Sequence, residues 1–594
     1  MENSVPLRSE VKNKYKWDID TLYFNKEGVL RDTRKLNEMI EEIQSYKGRL
    51  TESADTLYSC LKIVEKASRL CEVMSTYTFM KRDEDNSNVD GQELADLGQK
   101  ISVEFESAVS FINPEIIAAG EEKINKLIDE KKELKLYKHY IHNILRQGKH
   151  ILSPKEEKII AQTGEMASSM VNTFKMLSIV DIKMPSVKNS KGEEIELTAN
   201  NFTKLLTSED RILRKNAFNT FYGEYEEYKN TFGALIAGSN KADIFYAKVK
   251  GFDSALDKAL FDENIPRQVY FNVIDSVSKN IDALDSYCEM KKKMLNVSEL
   301  HLYDLYAPIV KNVDSNVEFE EGKEMVLEGL SILGDDYINI LKEAFDNNWI
   351  DVYENKGKCS GAYSWGCYDT KPYILLNYNN KLNDVLTMSH ELGHSVHSYK
   401  SRKNQPYVYS QYTIFCAEVA SITNECLMYL YLMDKLQGDE RKYIINEFLE
   451  LIRTTYFRQT MFAEFELQSH TLIEKGESLN GEKASEIWLK LYEKYYGRYC
   501  VIDKGIEMEW ARIPHFYNAY YVYKYVTGLS AAISIAKSIV DDRKNVDRYM
   551  EYLKSGGSDY SIELLKKAGV DMTTSKPMDD TAEMFRYLLK EFNK

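Results

Sequence analysis

The sequence predicts a mainly α protein with a small β-sheet beside one helix that carries an HExxH pattern. Three observations predict it. Apolar residues recur at three- and four-residue spacing along most of the chain; only 179–197 and 359–378 alternate as strands do; and the second of these leads into His390-Glu391-Leu392-Gly393-His394. With 594 residues and 43% hydrophobic content, the chain exceeds the size at which one core stays single, so two or three domains are expected. The expected division is 1–112, 113–200 and 201–594.

From Trp17 to about Phe111, Leu36, Met39, Ile40, Ile43, Leu61, Val64, Ala67 and Leu70 keep helical spacing, which reads as antiparallel helices. The polar run from Arg82 to Asn88 is a loop between two of them, and Asn113-Pro114 opens the next unit. In that unit His139 and His142 lie three apart, with no carboxylate or thiolate at matching spacing and with lysines nearby. They read as a solvated face. Ser153-Pro154 followed by Glu156-Glu157 is a helix start with proline at the first helical position.

Val180-Asp181-Ile182-Lys183-Met184 and Glu194-Ile195-Glu196-Leu197 alternate on either side of Asn189-Ser190-Lys191-Gly192, which predicts a hairpin. Helices resume to about Phe345, one of them starting at Ser208 as capping residue with Glu209 and Asp210 behind it. The run Phe218, Phe221, Tyr222, Tyr225, Tyr228 is core by its spacing. Between Cys359 and Tyr378, Gly361-Ala362-Tyr363-Ser364-Trp365 and Pro372 to Tyr378 read as two short strands turning at Asp369-Thr370. A strand so close to the HExxH helix suits edge pairing with an extended peptide through Gly361, Ala362 and Tyr363, although a purely structural hairpin has the same pattern.

Two histidines four apart stack on one side of a helix and can grip one metal ion. Leu382, Val385, Leu386, Leu392, Val396 and Tyr399 supply the apolar stripe of such a helix, and Asp384, with Asn383 as rival, supplies its N-cap. Gly393 weakens a helix, so a strand or another backbone packed close to it is expected. A catalytic zinc needs a third protein ligand and an open fourth position. Glu418, on the helical stretch Phe415 to Glu425 among small and apolar neighbours, fits that role, and Glu425, on the same face, could orient a ligand histidine through its free ring nitrogen. His397 is the competitor for third ligand. Three ligands from two successive turns strain a tetrahedral site, so His397 is assigned a supporting or substrate-facing role. Glu391, next to a ligand without being one, is placed as general base for a water acidified by the metal. His515 to Tyr525 offers one histidine and five tyrosines in eleven residues as donors for an oxyanion, though so dense an aromatic run also suits a core.

A formal charge of -15 argues against a phosphate-binding surface and hence against nucleic acid. The start shows no signal-peptide core and no apolar run is long enough to span a membrane, so a cytoplasmic protein without a membrane partner is expected. Eight scattered cysteines without a CxxC pair read as reduced thiols; Cys359 and Cys367, which flank the proposed strand, are packing residues before they are soft-metal ligands.

The segments HELGHSVHS, FCAEVASITNE, Cys359-Ser360-Gly361-Ala362-Tyr363 and HFYNAYYVYKYVTG together resemble oligoendopeptidase F, in the thimet oligopeptidase-like family of zinc metallopeptidases. Lys16-Trp17-Asp18 and the stretch from Arg146-Gln147 to Leu152-Ser153 extend the resemblance over most of the chain. It implies a two-lobed helical ellipsoid with a deep substrate channel, an N-terminal-like region over 113–200 and a catalytic domain over 201–594. It further implies one zinc per chain on His390, His394 and Glu418, Glu391 as base, and short unfolded peptides as substrates. Tyr520-Tyr521-Val522-Tyr523 is similar to the family's substrate-contacting Tyr-Tyr-x-Tyr. His515 and Tyr523 are the expected oxyanion donors, with Tyr517 the alternative to His515 and Tyr520 a substrate contact. The resemblance is silent on oligomeric state. The expected activity is zinc-dependent hydrolysis of oligopeptides; a non-catalytic peptide carrier with a structural metal is the rival, and the intact Glu391 weighs against it.

Overall fold

The structure is a computed structural model that describes residues 5–310 and 316–594. It is 71% helix and 3% strand. Two compact units are each assembled from three separate stretches of chain. The first comprises Met1–Lys149, Asp314–Met428 and Ile535–Gly569; the second comprises His150–Val313, Tyr429–Ser534 and Val570–Lys594.

The first unit opens with the helices Lys26–Ser45, Ala54–Asp83 and Val89–Val109. Each begins where the chemistry asks: the side chains of Asn25, Ser53 and Asn88 accept backbone N–H groups of the following turn, which a helix start otherwise leaves unpaired. Leu36, Ile43, Leu57, Leu61, Met74 and Ile101 share one buried cluster, as their periodicity requires. The predicted strand pair is present as Tyr363–Trp365 and Tyr373–Leu375, antiparallel with Ser364 opposite Ile374, and Cys367 and Thr370 hydrogen-bond across the turn. A third strand, Ile350–Asp351, lies parallel on the far side of Tyr373–Leu375, which leaves Tyr363–Trp365 at the sheet edge. Tyr373 and Leu375 pack with Trp17, Ile19 and Met80, so the sheet is seated on the N-terminal helices. Asp351, wholly buried, is held there by Arg8 at 2.7 Å and Lys358 at 2.8 Å.

In the second unit the helix Pro154–Lys175 starts as expected, with Ser153 and Glu156 forming a reciprocal cap. Two expectations shift. The hairpin pairs Val187–Lys188 with Glu194–Ile195, so its first strand lies beyond Val180–Met184. Met176–Asp181 instead continues the preceding helix as a π-type turn that takes up Val180 and Asp181. The cap of the helix Arg211–Glu227 is Asp210, which accepts the N–H groups of Ile212 and Leu213, while the Ser208 hydroxyl accepts the N–H of Asp210. Phe218, Phe221, Tyr222 and Tyr225 are core, whereas Tyr228, at the end of the helix, is half-buried.

His139 and His142, in the first unit, are half-buried rather than solvated. His142 bonds Asn125 at 2.9 Å and His139 packs edge-on against Tyr560. All eight cysteines are free thiols. Among the described residues no helix is long and apolar enough to cross a membrane.

Candidate metal centre and its base

The HExxH pattern lies in the helix Leu382–Asn404, with Leu382, Val385, Leu386, Leu392 and Val396 buried. Its N-cap is Lys381, not Asp384 or Asn383. Asp384 stands three residues in, where its carboxylate accepts the backbone N–H groups of Lys381 at 3.0 Å and Asn379 at 2.8 Å, so it still pairs orphan donors from the other side of the cap.

The helix Ile414–Lys435 crosses this one at Gly393. A Cβ at Gly393 would sit 2.6 Å from the Ser421 Cα and 2.8 Å from the Ala420 carbonyl oxygen, so only glycine admits the second backbone. Asn424 fastens the crossing by donating to the Ser389 carbonyl at 2.9 Å, and Tyr337 donates to Asn424 at 2.7 Å.

Close approach brings Glu418 to the histidines. The His390 and His394 Nε2 atoms are 3.2 Å apart, and Glu418 Oε2 lies 3.5 Å from the first and 3.7 Å from the second. Ligand bonds of about 2.1 Å in a tetrahedron separate donor atoms by about 3.4 Å, so the three are spaced as one ion requires. Among the described residues they form the one group able to hold a metal. Each ring is anchored through its other side: His390 Nδ1 bonds Glu425, and the His394 ring is hydrogen-bonded to the Ala417 carbonyl. That leaves both Nε2 atoms facing the centre.

The charges are arranged accordingly. Burial opposes protonation of His390, yet Glu418 and Glu425 raise it to about 10. Burial and the neighbouring His390 lower His394 to about 4, and the two histidines hold Glu418 below the usual carboxylate range against the pull of its own burial. Glu391 is 7% exposed. Burial, reinforced by Glu418 and Glu425 and opposed by His390, pushes its carboxyl up to about 7. A backbone hydrogen bond from Ser364 on the edge strand reaches it, and Ser364 Oγ meets Ser395 Oγ at 2.8 Å, which ties strand to helix.

His397 is not in the cluster and is 1% exposed. Its ring stacks on Tyr412 at 3.7 Å, and burial, with the neighbouring His394, lowers it to about 3. Gly361 is exposed and Ala362 and Tyr363 are half-buried; Tyr363 donates to Asp83 at 3.0 Å. His515, Tyr517, Tyr520 and Tyr523 belong to the second unit. There His515 bonds Tyr525 at 3.3 Å and Tyr517 stacks on Phe174. The rings of Tyr520 and Tyr523 are buried and both lie beside Tyr270. The sequence reading missed Ser364, Ser395, Tyr412 and the Ala417 carbonyl. Small hydroxyls and main-chain atoms carry no spacing signature.

A sequence profile described as Peptidase family M3 matches residues 204–584, and one described as Oligopeptidase F matches residues 115–183. The chain belongs to peptidase family M3. This M3 peptidase is 45% identical to Oligopeptidase PepF of Bacillus subtilis (strain 168), over 99% of its own chain and 88% of the relative. It is 37% identical to an oligoendopeptidase F homolog of Lactococcus lactis subsp. lactis, covering 99% and 98% of the two chains. Among solved structures it resembles a putative peptidase from Chlamydophila abortus with a TM-score of 0.94 at 35% identity, over 99% of each chain. It also resembles oligoendopeptidase-F from Enterococcus faecium with a TM-score of 0.73 at 34% identity, over 95% and 98%. The M3 peptidase is therefore a metalloendopeptidase that hydrolyses oligopeptides, with His390, His394 and Glu418 as its candidate metal site.

Proposed function

We propose that the protein is a zinc-dependent endopeptidase for short oligopeptides, with one ion per chain on His390, His394 and Glu418 and with Glu391 as general base. The observation that carries this reading is the set of 3.2, 3.5 and 3.7 Å separations among three donor atoms with a buried carboxylate alongside. Two imidazoles and one carboxylate suit zinc, and three protein ligands leave a coordination position for chemistry. When bound, the ion supplies Lewis acidity, which polarises a carbonyl and lowers the pKa of water towards about 7. Glu391 accepts the proton of the attacking water and delivers it to the departing amine. Glu425 keeps the His390 ring turned with its Nε2 inward, and the free edge of Tyr363–Trp365 offers main-chain hydrogen bonds to an extended peptide. His515 and Tyr523 are assigned to oxyanion stabilisation, with Tyr517 as the alternative to His515 and Tyr520 as a substrate contact. A cytoplasmic working place and the exclusion of nucleic acid and membrane partners belong to the same proposal, and the charge of -15 supports the exclusion of nucleic acid.

The test is Glu391→Gln. It is expected to retain zinc by elemental analysis while losing at least about a hundredfold in kcat on a quenched-fluorescence peptide. Turnover within a fewfold of wild type at full zinc loading removes the general-base assignment. Chelation is expected to abolish cleavage and zinc to restore it.

A further inference from the structure

Within the first unit a cavity of about 620 Å³ lies beside the HExxH helix. Its walls are the helices Ala54–Asp83 and Val89–Val109, the end of the edge strand at Ser364 and Trp365, and the side chains of Ser398 and Arg402. Arg402 is the unusual member. Its Nη2 donates to the Gly366 carbonyl at 2.8 Å, while Nε and Nη1 are buried without a hydrogen-bond partner. Guanidinium groups withdrawn from water are normally matched by a carboxylate, and among the described residues Arg402 has no ion pair. Glu72 and Glu106 line the same cavity, but Tyr407 donates to Glu72 Oε1 at 2.7 Å and, among the described residues, neither carboxylate comes within ion-pair distance of Arg402. The hydroxyls of Ser68, Ser398 and Thr76 complete a polar lining suited to an oxyanion.

Position ties this cavity to the metal centre. His390, His394, Ser398 and Arg402 follow one another at four-residue intervals, so a single row of the helix carries both imidazoles and the arginine. Eight residues of helix from His394 to Arg402 span about 12 Å. An extended peptide advances about 3.3 Å per residue, so about three or four of its residues cover that distance. The strand between the two places is the one whose Ser364 bonds Glu391 and Ser395, and Trp365, 54% exposed, stands at the cavity as an apolar surface for the intervening side chains.

We propose that this cavity is a substrate subsite in which Arg402 binds a carboxylate of the peptide about three or four residues from the cleaved bond. The inference rests on the peptidase reading above and adds to it a preference for negatively charged substrates. The carboxylate is either a free C-terminus or an aspartate or glutamate side chain.

Paired peptides sharing one central sequence decide it. One pair differs as C-terminal acid against amide, and others differ as Glu against Gln at the third and fourth positions on each side of the cleaved bond. For the zinc-loaded wild type, one pair is expected to favour the acid by about tenfold to a hundredfold in kcat/KM, chiefly through KM, and the identity of that pair reports which carboxylate is read. Arg402→Met is expected to equalise that pair, and Arg402→Lys, which keeps charge with fewer donors, to retain part of the preference. Equal cleavage of every acid and neutral partner by wild type overturns the subsite whether or not the variants fold, as does Arg402→Met with an unchanged preference. Absence of chelator-sensitive cleavage of any peptide overturns the peptidase reading instead.

Discussion

At the scale of single residues, the centre works because groups that bind no metal hold those that do. Glu425 is the clearest case. It fixes which His390 nitrogen carries the proton and which way the ring faces, and it raises the basicity of the ring it touches. Glu425→Gln keeps a side chain of the same length and exchanges a full charge for an amide, so the ring remains contacted but less polarised. Zinc affinity is expected to fall by about tenfold to a hundredfold, measured by competition with a chromophoric chelator, with the melting temperature of the zinc-loaded protein little changed. Unaltered affinity would show that the contact is ornamental. Much of this was legible from sequence, because HExxH and Glu425 sit at helical spacings that place side chains without any knowledge of the fold. The true position of His397 was not legible. Its spacing allowed a supporting, substrate-facing or ligating role, and it carried no sign of Tyr412, fifteen residues on, whose ring stacks on it outside the metal-ligand group.

At the scale of elements, the decisive contact is between two helix backbones. The sequence announced it through a glycine where a helix has no reason for one, although it could not say which element arrives. Gly393→Ala sets two effects against each other. Alanine favours the isolated helix by about 1 kcal/mol, while a methyl group 2.6 Å from the Ser421 Cα forces two main chains apart at a cost of about 1–3 kcal/mol. The second effect wins, and since Glu418 rides on the helix that is displaced, the variant is expected to lose melting temperature and zinc content together. Calorimetry and elemental analysis of one preparation check both, and a rise in melting temperature would mean that the crossing is looser than described. Caps were read less accurately than helices. Asp384 and Asp210 each belong to a start that was expected, but several polar residues in a row compete for one capping position, and the choice among them depends on where the preceding chain enters.

At the scale of the whole molecule, periodicity is a local signal and reports nothing about which distant segments share a core. Hence the helical character was plain, whereas two units each stitched from three stretches were not, nor was the strand Ile350–Asp351, too short to alternate. Buried ion clusters are hidden for the same reason, since their members lie far apart in the chain. Glu509 in the second unit shows what they contribute. It is 2% exposed. Burial would raise its carboxyl, but Arg458 and Arg512, with a hydrogen bond from Tyr492, draw it down to about 2. A carboxylate depressed in the folded state stabilises above its unfolded pKa of about 4.3 and loses that contribution as pH falls from there towards about 2, because the unfolded chain takes up the proton first. Glu509→Gln abolishes this linkage and leaves two guanidinium groups short of their counter-charge, which costs about 3–5 kcal/mol at neutral pH. The variant is thus expected to unfold at lower denaturant concentration at pH 7, and the gap between it and wild type is expected to narrow steadily as pH falls below about 4.3. A gap of constant width across that range would show that Glu509 binds its proton no more weakly in the folded protein than in the unfolded chain, and the depressed carboxylate would be refuted.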